Sequence, residues 1–316
     1  MAYNVLSIKG KAMIARTRSS SYFPVLVSVL ALMSLAGCGG GNAVSGGNGG
    51  GSSPVPPSTA NQWTWEGGSS ATGASGVYGT VGVPSSGNVP GARDSSVSWT
   101  DSSGNFWLFG GNVPSVGLLN DLWEYSPSAK TWTWVSGSSS VPAGLPGVSG
   151  VYGTLGVASA TNVPGGRDGS VGWTDSSGNL WLFGGFGIDS SGTGGNLNDL
   201  WEFNVASKEW IWVSGSNLAN ASGVYGTEGV PSTTNVPGGR DFAVGGIDKG
   251  GNLWLFGGSS GTSTSVALND LWEYSPSAKT WTWVSGSNSG NQAGIYGTLG
   301  VPSASNVPGG RSDSAA

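Results

Sequence analysis

The chain has 316 residues, of which 59 are glycine and 16 tryptophan; 9% are charged, none is histidine, and the formal net charge is −5. So much tryptophan with so little charge excludes a disordered chain, which needs low hydrophobicity and high net charge. The acidic balance argues against nucleic acid, whose binding rests on clustered Lys and Arg. The lack of histidine removes Ser-His-Asp triads, His-ligated zinc and His general bases.

The first element in chain order is a leader. Lys9, Lys11, Arg16 and Arg18 precede an apolar run of 12 residues, 23–34, with the length of a signal-peptide core and too short for a bilayer span. Leu35-Ala36-Gly37-Cys38 comes next. This tetrapeptide resembles the bacterial lipobox, which implies that residues 1–38 are a lipoprotein signal and that Cys38, the chain's one cysteine, is acylated as the first mature residue. With a single Cys, no intrachain disulfide is available. Gly39, not Asp, succeeds the cysteine, which by resemblance to Gram-negative lipoproteins points to the outer membrane. The expected localisation is the cell envelope, on its periplasmic or surface side.

Residues 39–60 are Gly, Ser, Asn and Pro in low-complexity sequence. A flexible coil of this length spans about 26 Å root-mean-square, enough to tether the folded repeats away from a membrane.

From residue 61 onward one sentence recurs four times. SGVYGTVGVPSSGNVPGAR ends at Arg93, SGVYGTLGVASATNVPGGR at Arg167, SGVYGTEGVPSTTNVPGGR at Arg240 and AGIYGTLGVPSASNVPGGR at Arg311, at spacings of 74, 73 and 71. A fixed period marks one supersecondary unit whose copies bury their apolar faces on each other. Within the unit, residues 94–100 alternate Val97 and Trp99 against Ser, as a strand does. Residues 101–105 (DSSGN) are turn chemistry. Phe106-Trp-Leu-Phe109 is an apolar strand closed by Gly110-Gly111; 120–125 (NDLWEY) alternates again; 126–130 (SPSAK) is a second turn; Trp132 and Trp134 share one face of a fourth strand. The predicted unit is a four-stranded antiparallel meander, with blades at about 93–135, 167–213 and 240–284 and partial strands at 61–66 and 311–316.

A Gly-Gly pair closing the second strand, and an aromatic separated by six residues from a Trp (Tyr125/Trp132, Phe203/Trp210, Tyr274/Trp281), resemble the kelch motif. The resemblance covers 61–316 and implies an all-β fold of kelch-type β-propeller blades. The period is longer than is usual for kelch repeats, and the excess lies in the YGT…NVPGGR sentence. Three complete meanders with two lone strands do not close a ring of 4–8 blades. The expectation is an incomplete propeller, a piece of a longer one or an arc that self-associates through open blade edges.

The turns after strands one and three are tight. The connections after strands two and four are long and gather at one end, where binding resides on a rigid scaffold. Tyr78, Tyr152, Tyr225 and Tyr296, with Arg93, Arg167, Arg240 and Arg311, are the repeated candidates for ligand binding there. The competing expectation pairs each Arg with an acid such as Asp94 or Asp121 and packs each Tyr under its own loop. Residues that differ between copies, Phe186, Asp189, Val113, Glu228 and Asp241-Phe242, are the candidates for specificity. No catalytic constellation, cofactor motif or metal-ligand spacing is found: DSSGN at 101–105 and 175–179 is too short for a calcium loop and has no closing Glu. The expected function is a membrane-tethered binding protein for a protein or glycan, and not an enzyme. The alternatives are a sugar-modifying enzyme of the sialic-acid-mutarotase type, which works through Arg and acidic residues, and a purely structural surface protein.

Overall fold

A computed structural model describes residues 3–8, 11–16, 64–261 and 266–313 of the chain. The lipobox, Cys38 and the tether lie outside the described residues. A hairpin of β1 (Tyr3–Ile8) and β2 (Lys11–Arg16) pairs through β1 with β3 (Thr64–Gly67), in the order β2-β1-β3.

Each repeat then folds as the alternation of its apolar residues dictates. β4 (Val97–Thr100), β5 (Phe106–Val113), β6 (Gly117–Ser126) and β7 (Thr131–Ser136) form the first blade, an antiparallel meander in sequence order. The second blade carries β8 (Ala158–Ser159), β9 (Arg167–Asp168), β10 (Val171–Thr174), β11 (Leu180–Ile188), β12 (Gly194–Asn204) and β13 (Glu209–Ser214). The third has β14 (Val244–Ile247), β15 (Leu253–Phe256), β18 (Leu271–Ser275) and β19 (Thr280–Ser285), with a small ladder of β16 (Ser259–Ser260) and β17 (Val266–Ala267) at its end. The described fold is all-β, in propeller blades whose sheets do not close into a ring.

The turn after strand one is tied by its aspartate. Asp101 Oδ1 accepts from the backbone N–H of Ser103 and Asn105, and Oδ2 accepts from Trp107 Nε1 at 2.9 Å. Asp175 and Asp248 repeat this arrangement with Trp181 and Trp254. A turn residue thus also fixes the rotamer of a core indole.

Blades pack face to face through the first strand. Trp99 lies over Gly172 and donates from Nε1 to the Trp181 carbonyl at 3.0 Å. Trp173 likewise lies over Gly245, but its Nε1 has no hydrogen-bond partner. Trp99, Trp107, Phe109 and Leu122 of the first blade form one core with Leu180, Leu182, Trp201, Phe203 and Trp210 of the second.

Two sequence expectations are corrected. Strand one begins at Val97 and not at Asp94, because the second residue after each Arg sits in the left-handed region: Ser95 at φ 52°, Gly169 at 62° and Phe242 at 50°. These residues leave the strand and join across blades: Gly169 N–H donates to Ser95 O, Phe242 N–H to Gly169 O and Asp313 N–H to Phe242 O, at 3.0, 2.8 and 3.0 Å. The stretch 186–197, expected as a loop, prolongs the ladder as far as Ile188 opposite Gly194. The first blade does likewise as far as Val113 opposite Gly117. In both, the register shifts at the Gly-Gly pair.

The recurring sentence is a fifth element of the blade whose first strand it leads into. It folds back on itself through bridges such as Val77 with Val89 and Val151 with Val163. It then pairs with the open edge of the next fourth strand: β8 on β13, Ser85 on Trp132, Ser232 on Trp281.

Candidate functional site

Each sentence ends in an Arg, and the first three of these reach into their own blades. Arg167 Nη1 and Nη2 lie 2.7 Å from Oδ1 and Oδ2 of Asp199, a two-pronged ion pair. Nη1 also donates to the Gly184 carbonyl and Nε to the Gly165 carbonyl. Asp199 Oδ2 further accepts from Tyr152 Oη at 2.6 Å and Trp201 Nε1 at 2.8 Å. Arg93–Asp121–Tyr78–Trp123 and Arg240–Asp270–Tyr225–Trp272 repeat the cluster atom for atom. The three Arg are 0–1% exposed and the three Asp 0%.

These clusters take Arg93, Arg167 and Arg240 out of the open surface and pair each with the acid of the third strand, Asp121 in the first copy. A guanidinium taken out of water must have its donors satisfied inside the protein, and here the carboxylate and two carbonyls satisfy them. Burial disfavours the Arg charge, but the facing carboxylate holds all three above the ordinary guanidinium value. Burial, reinforced by the adjacent carboxylate, pushes the Tyr78, Tyr152 and Tyr225 phenols far above the ordinary 10.0. The fourth copy differs: Tyr296 is 71% exposed, and Arg311 is exposed with a hydrogen bond from Nε to the Gly309 carbonyl.

The open surface lies elsewhere, between the second and third blades on the long-connection face. A polar cleft of ≈ 670 Å³ is walled by Asn196, Asn220, Ser222, Ser260, Leu268 and Asn288, with Tyr225 and Arg240 at its back. Comparing the junctions explains why it opens here. Between the first and second blades, Ile188 is 1% exposed and presses on Gly147 beside Leu118. In the third blade Gly261 stands where Ile188 stands in the second, and in the second Asn196 stands where Leu118 stands in the first. Two apolar plugs are thereby replaced by a hydrogen atom and an amide. Asn196 is 2% exposed; its Nδ2 reaches Ser259 O at 3.4 Å, while its Oδ1 has no hydrogen-bond partner. A buried amide oxygen without a donor is costly.

The residues expected to set specificity scatter. Asp189 is buried and spent on its own turn. Burial raises its carboxyl, but the N–H of Ala219, the Ser191 hydroxyl and the N–H groups of Thr193 and Ser191 bring it below its ordinary value. Phe186 and Val113 are half-buried on extended ladders, and Glu228 is exposed on the sentence surface. Phe242 covers Gly169 near the blade-to-blade backbone chain. Asp241 is half-buried, and burial, then Asp313, raises its carboxyl. None of these lines the cleft. Asn196 was legible as a copy-specific residue, but it sits inside a strand where alternation assigns packing.

No family model matches the chain. It is 30% identical over 200 residues, 62% of its length, to the human multiple epidermal growth factor-like domains protein 8, of which it spans 5%. The solved structure of YjhT resembles it at a TM-score of 0.39 and 18% identity, over 65% of this chain and 56% of that one. The expectation of a non-enzyme is corrected by this comparison, since YjhT is a mutarotase. A match at this level transfers no activity to the chain.

Proposed function

We propose that the protein is tethered to the cell envelope through lipidated Cys38 and binds a neutral, hydroxyl-rich ligand of the glycan class in the cleft between its second and third blades. The buried Asn196 Oδ1, without a donor in the wall of that cleft, carries the reading. That oxygen is closed off in the free chain, so a ligand hydroxyl supplies the missing hydrogen bond once the Asn196 amide turns toward the cleft. The volume suits a mono- or disaccharide, since ligand sites run from about 300 to 1,000 Å³. The wall offers amides, hydroxyls and backbone groups, while the cation at its back, Arg240, is already spent on Asp270. That favours uncharged polar recognition over anion capture.

Titration calorimetry on sugars selected from a glycan array tests the reading, with Asn196→Leu as the variant. Leu is the residue at the corresponding position of the first blade, so the fold tolerates it. Binding that is lost in the variant supports the cleft; undiminished binding removes it. Proton spectra of the same sugar, followed for anomeric exchange with and without protein, show whether the bound ligand is also turned over.

A further inference from the structure

The two junctions between blades use the same residue types and are not equally closed. Directional contacts clamp the first. Trp99 Nε1 donates to Trp181 O at 3.0 Å and Trp210 Nε1 to Ser136 Oγ at 3.4 Å. Lys208 Nζ pairs with Glu124 Oε2 at 3.3 Å and lies 4.4 Å from the centre of the Trp107 ring. A Cβ on Gly178 would lie 3.4 Å from Ser102 Cβ. At the second junction Trp173 and Trp281 stand where Trp99 and Trp210 stand, and both indole N–H groups are buried without a partner. Lys279 and Glu202 take the places of Lys208 and Glu124 and form no ion pair with each other. A Cβ on Gly251, the counterpart of Gly178, would meet nothing within 4 Å.

Near the Gly-Gly pairs the two junctions are tied alike. A Cβ on Gly110 would stand 2.8 Å from Arg167 O, and one on Gly184 2.8 Å from Arg240 O. Across the second junction Phe242 N–H donates to Gly169 O at 2.8 Å, Arg240 N–H to Leu197 O at 3.0 Å and Asn198 Nδ2 to Pro237 O at 3.0 Å. Away from this tie the junction is apolar: Trp181, Phe183 and Leu200 share one core with Leu255, Trp272 and Tyr274. Apolar burial is non-directional, whereas a hydrogen bond weakens steeply as it bends. A junction whose directional bonds gather at one place can therefore tilt about that place while its core stays packed. The two indole N–H groups favour such movement, since a buried donor without an acceptor is costly.

We infer that the third blade pivots on the second about the tie at Arg240 and Phe242, and that this tilt sets the width of the cleft between them. The walls of the cleft ride on different blades: Asn196 belongs to β12 of the second, Ser260 and Leu268 to the third. The amide that spans them, Asn196 Nδ2 to Ser259 O, reaches over 3.4 Å, beyond the usual range of about 2.7–3.2 Å. At the first junction Ile188 fills the corresponding place and the blades are clamped. The pivot itself does not depend on what the cleft binds; that its closing retains a ligand rests on the glycan reading above.

Spin labels read the tilt in the chain without ligand, carrying Cys38→Ala. Ala129→Cys, Ser207→Cys and Ala278→Cys, combined in pairs, place them on exposed and equivalent turns before the fourth strands of the three blades. The 207/278 pair is expected to give a distance distribution wider than that of the 129/207 pair by about twofold or more. The indole hydrogens of Trp173 and Trp281 are expected to exchange with solvent about tenfold or more faster than those of Trp99 and Trp210. Equal widths, or equal exchange, would overturn the pivot. Asn196→Leu refills part of the cleft and should narrow the 207/278 distribution; an unchanged width would overturn the link between tilt and cleft. None of these measurements contains a sugar, so a failure to bind glycans would strike the proposed function and leave the pivot standing.

Discussion

Arg167 and Asp199 stand face to face with both pairs of atoms 2.7 Å apart, and neither has more than 1% of its side chain exposed. One residue closes the long sentence and the other opens Asp-Leu-Trp on the third strand. The pair therefore fastens the start of each blade to its own centre. The Arg main chain points the other way: Gly185 N–H donates to Arg240 O and Gly258 N–H to Arg311 O. A single residue type thus binds its own blade with its side chain and the preceding blade with its carbonyl.

Removing one partner should cost far more than removing both. Asp199→Ala leaves a buried guanidinium uncompensated, for a loss of about 3–5 kcal/mol. Arg167→Met combined with Asp199→Leu should lose less than the single change. Thermal unfolding of the wild type, the single and the double variant reads this. A double variant less stable than Asp199→Ala would show that the ion pair itself contributes more than its desolvation costs.

The two environments of the sentence tyrosine make an internal control. Tyr152→Phe removes a buried hydroxyl that donates to Asp199 at 2.6 Å, with an expected cost of about 1.5–3 kcal/mol for a hydrogen bond to a charged acceptor. Tyr296→Phe, at an exposed position, should change stability by less than about 0.5 kcal/mol. Equal effects in denaturant titrations would contradict the burial assigned to the first and not to the second.

Stability should fall at both ends of the pH scale, for different groups. The Tyr152 and Tyr225 phenols are raised well above 10.0, first by burial and then by the facing carboxylates. A raised group contributes stability that is fully present below its unfolded value and is lost as pH rises, so loss should begin above about pH 10. Burial opposes ionisation of Asp270, but Arg240 and the hydrogen bonds from Trp272 and Tyr225 hold its carboxyl below 3.8. That contribution is present above about pH 4 and fades as pH falls below it. Melting temperature against pH should therefore show a plateau between these limits, and the alkaline fall should be smaller in Tyr152→Phe.

Much of this architecture is legible in the sequence because every copy repeats the same local chemistry. DSSGN, SPSAK and the Trp-x-Trp pairs each give a turn or strand from nearest neighbours alone. The pairing of Arg93 with Asp121 was also open to inference, as an acid that recurs on the third strand of each copy. What was hidden depends on other blades. The crossing of the sentence to the edge of β13 is a long-range pairing with no local periodicity. The strand break at Ser95 and Phe242 comes from positive φ in residues that ordinarily avoid it. The cleft opens because Gly261 and Asn196 replace two plugs at one junction only, a difference of volume that shows once the junctions are superposed in space.

The blades' spacing rests on a residue with no side chain. A Cβ placed on Gly172 would stand 2.5 Å from Trp99 Nε1 and 2.6 Å from Val97 Cγ2, closer than packed atoms come. The Trp99 indole cannot yield, because its Nε1 is held on the Trp181 carbonyl and its ring belongs to the core shared with Trp107, Trp201 and Trp210. Gly172→Val must then either break that hydrogen bond or drive the first blade off the second. Overpacking of this kind costs about 1–3 kcal/mol, and a lost buried bond about 1–3 more. The expected result is a lower melting temperature together with a red-shifted tryptophan emission, as Trp99 meets water. Gly246→Val makes the useful comparison: a Cβ there meets nothing within 4 Å, so its emission should stay at the wild-type wavelength. A Gly172→Val protein with unchanged emission and stability would mean that the first two blades do not meet through Trp99 and the bare Cα beneath it.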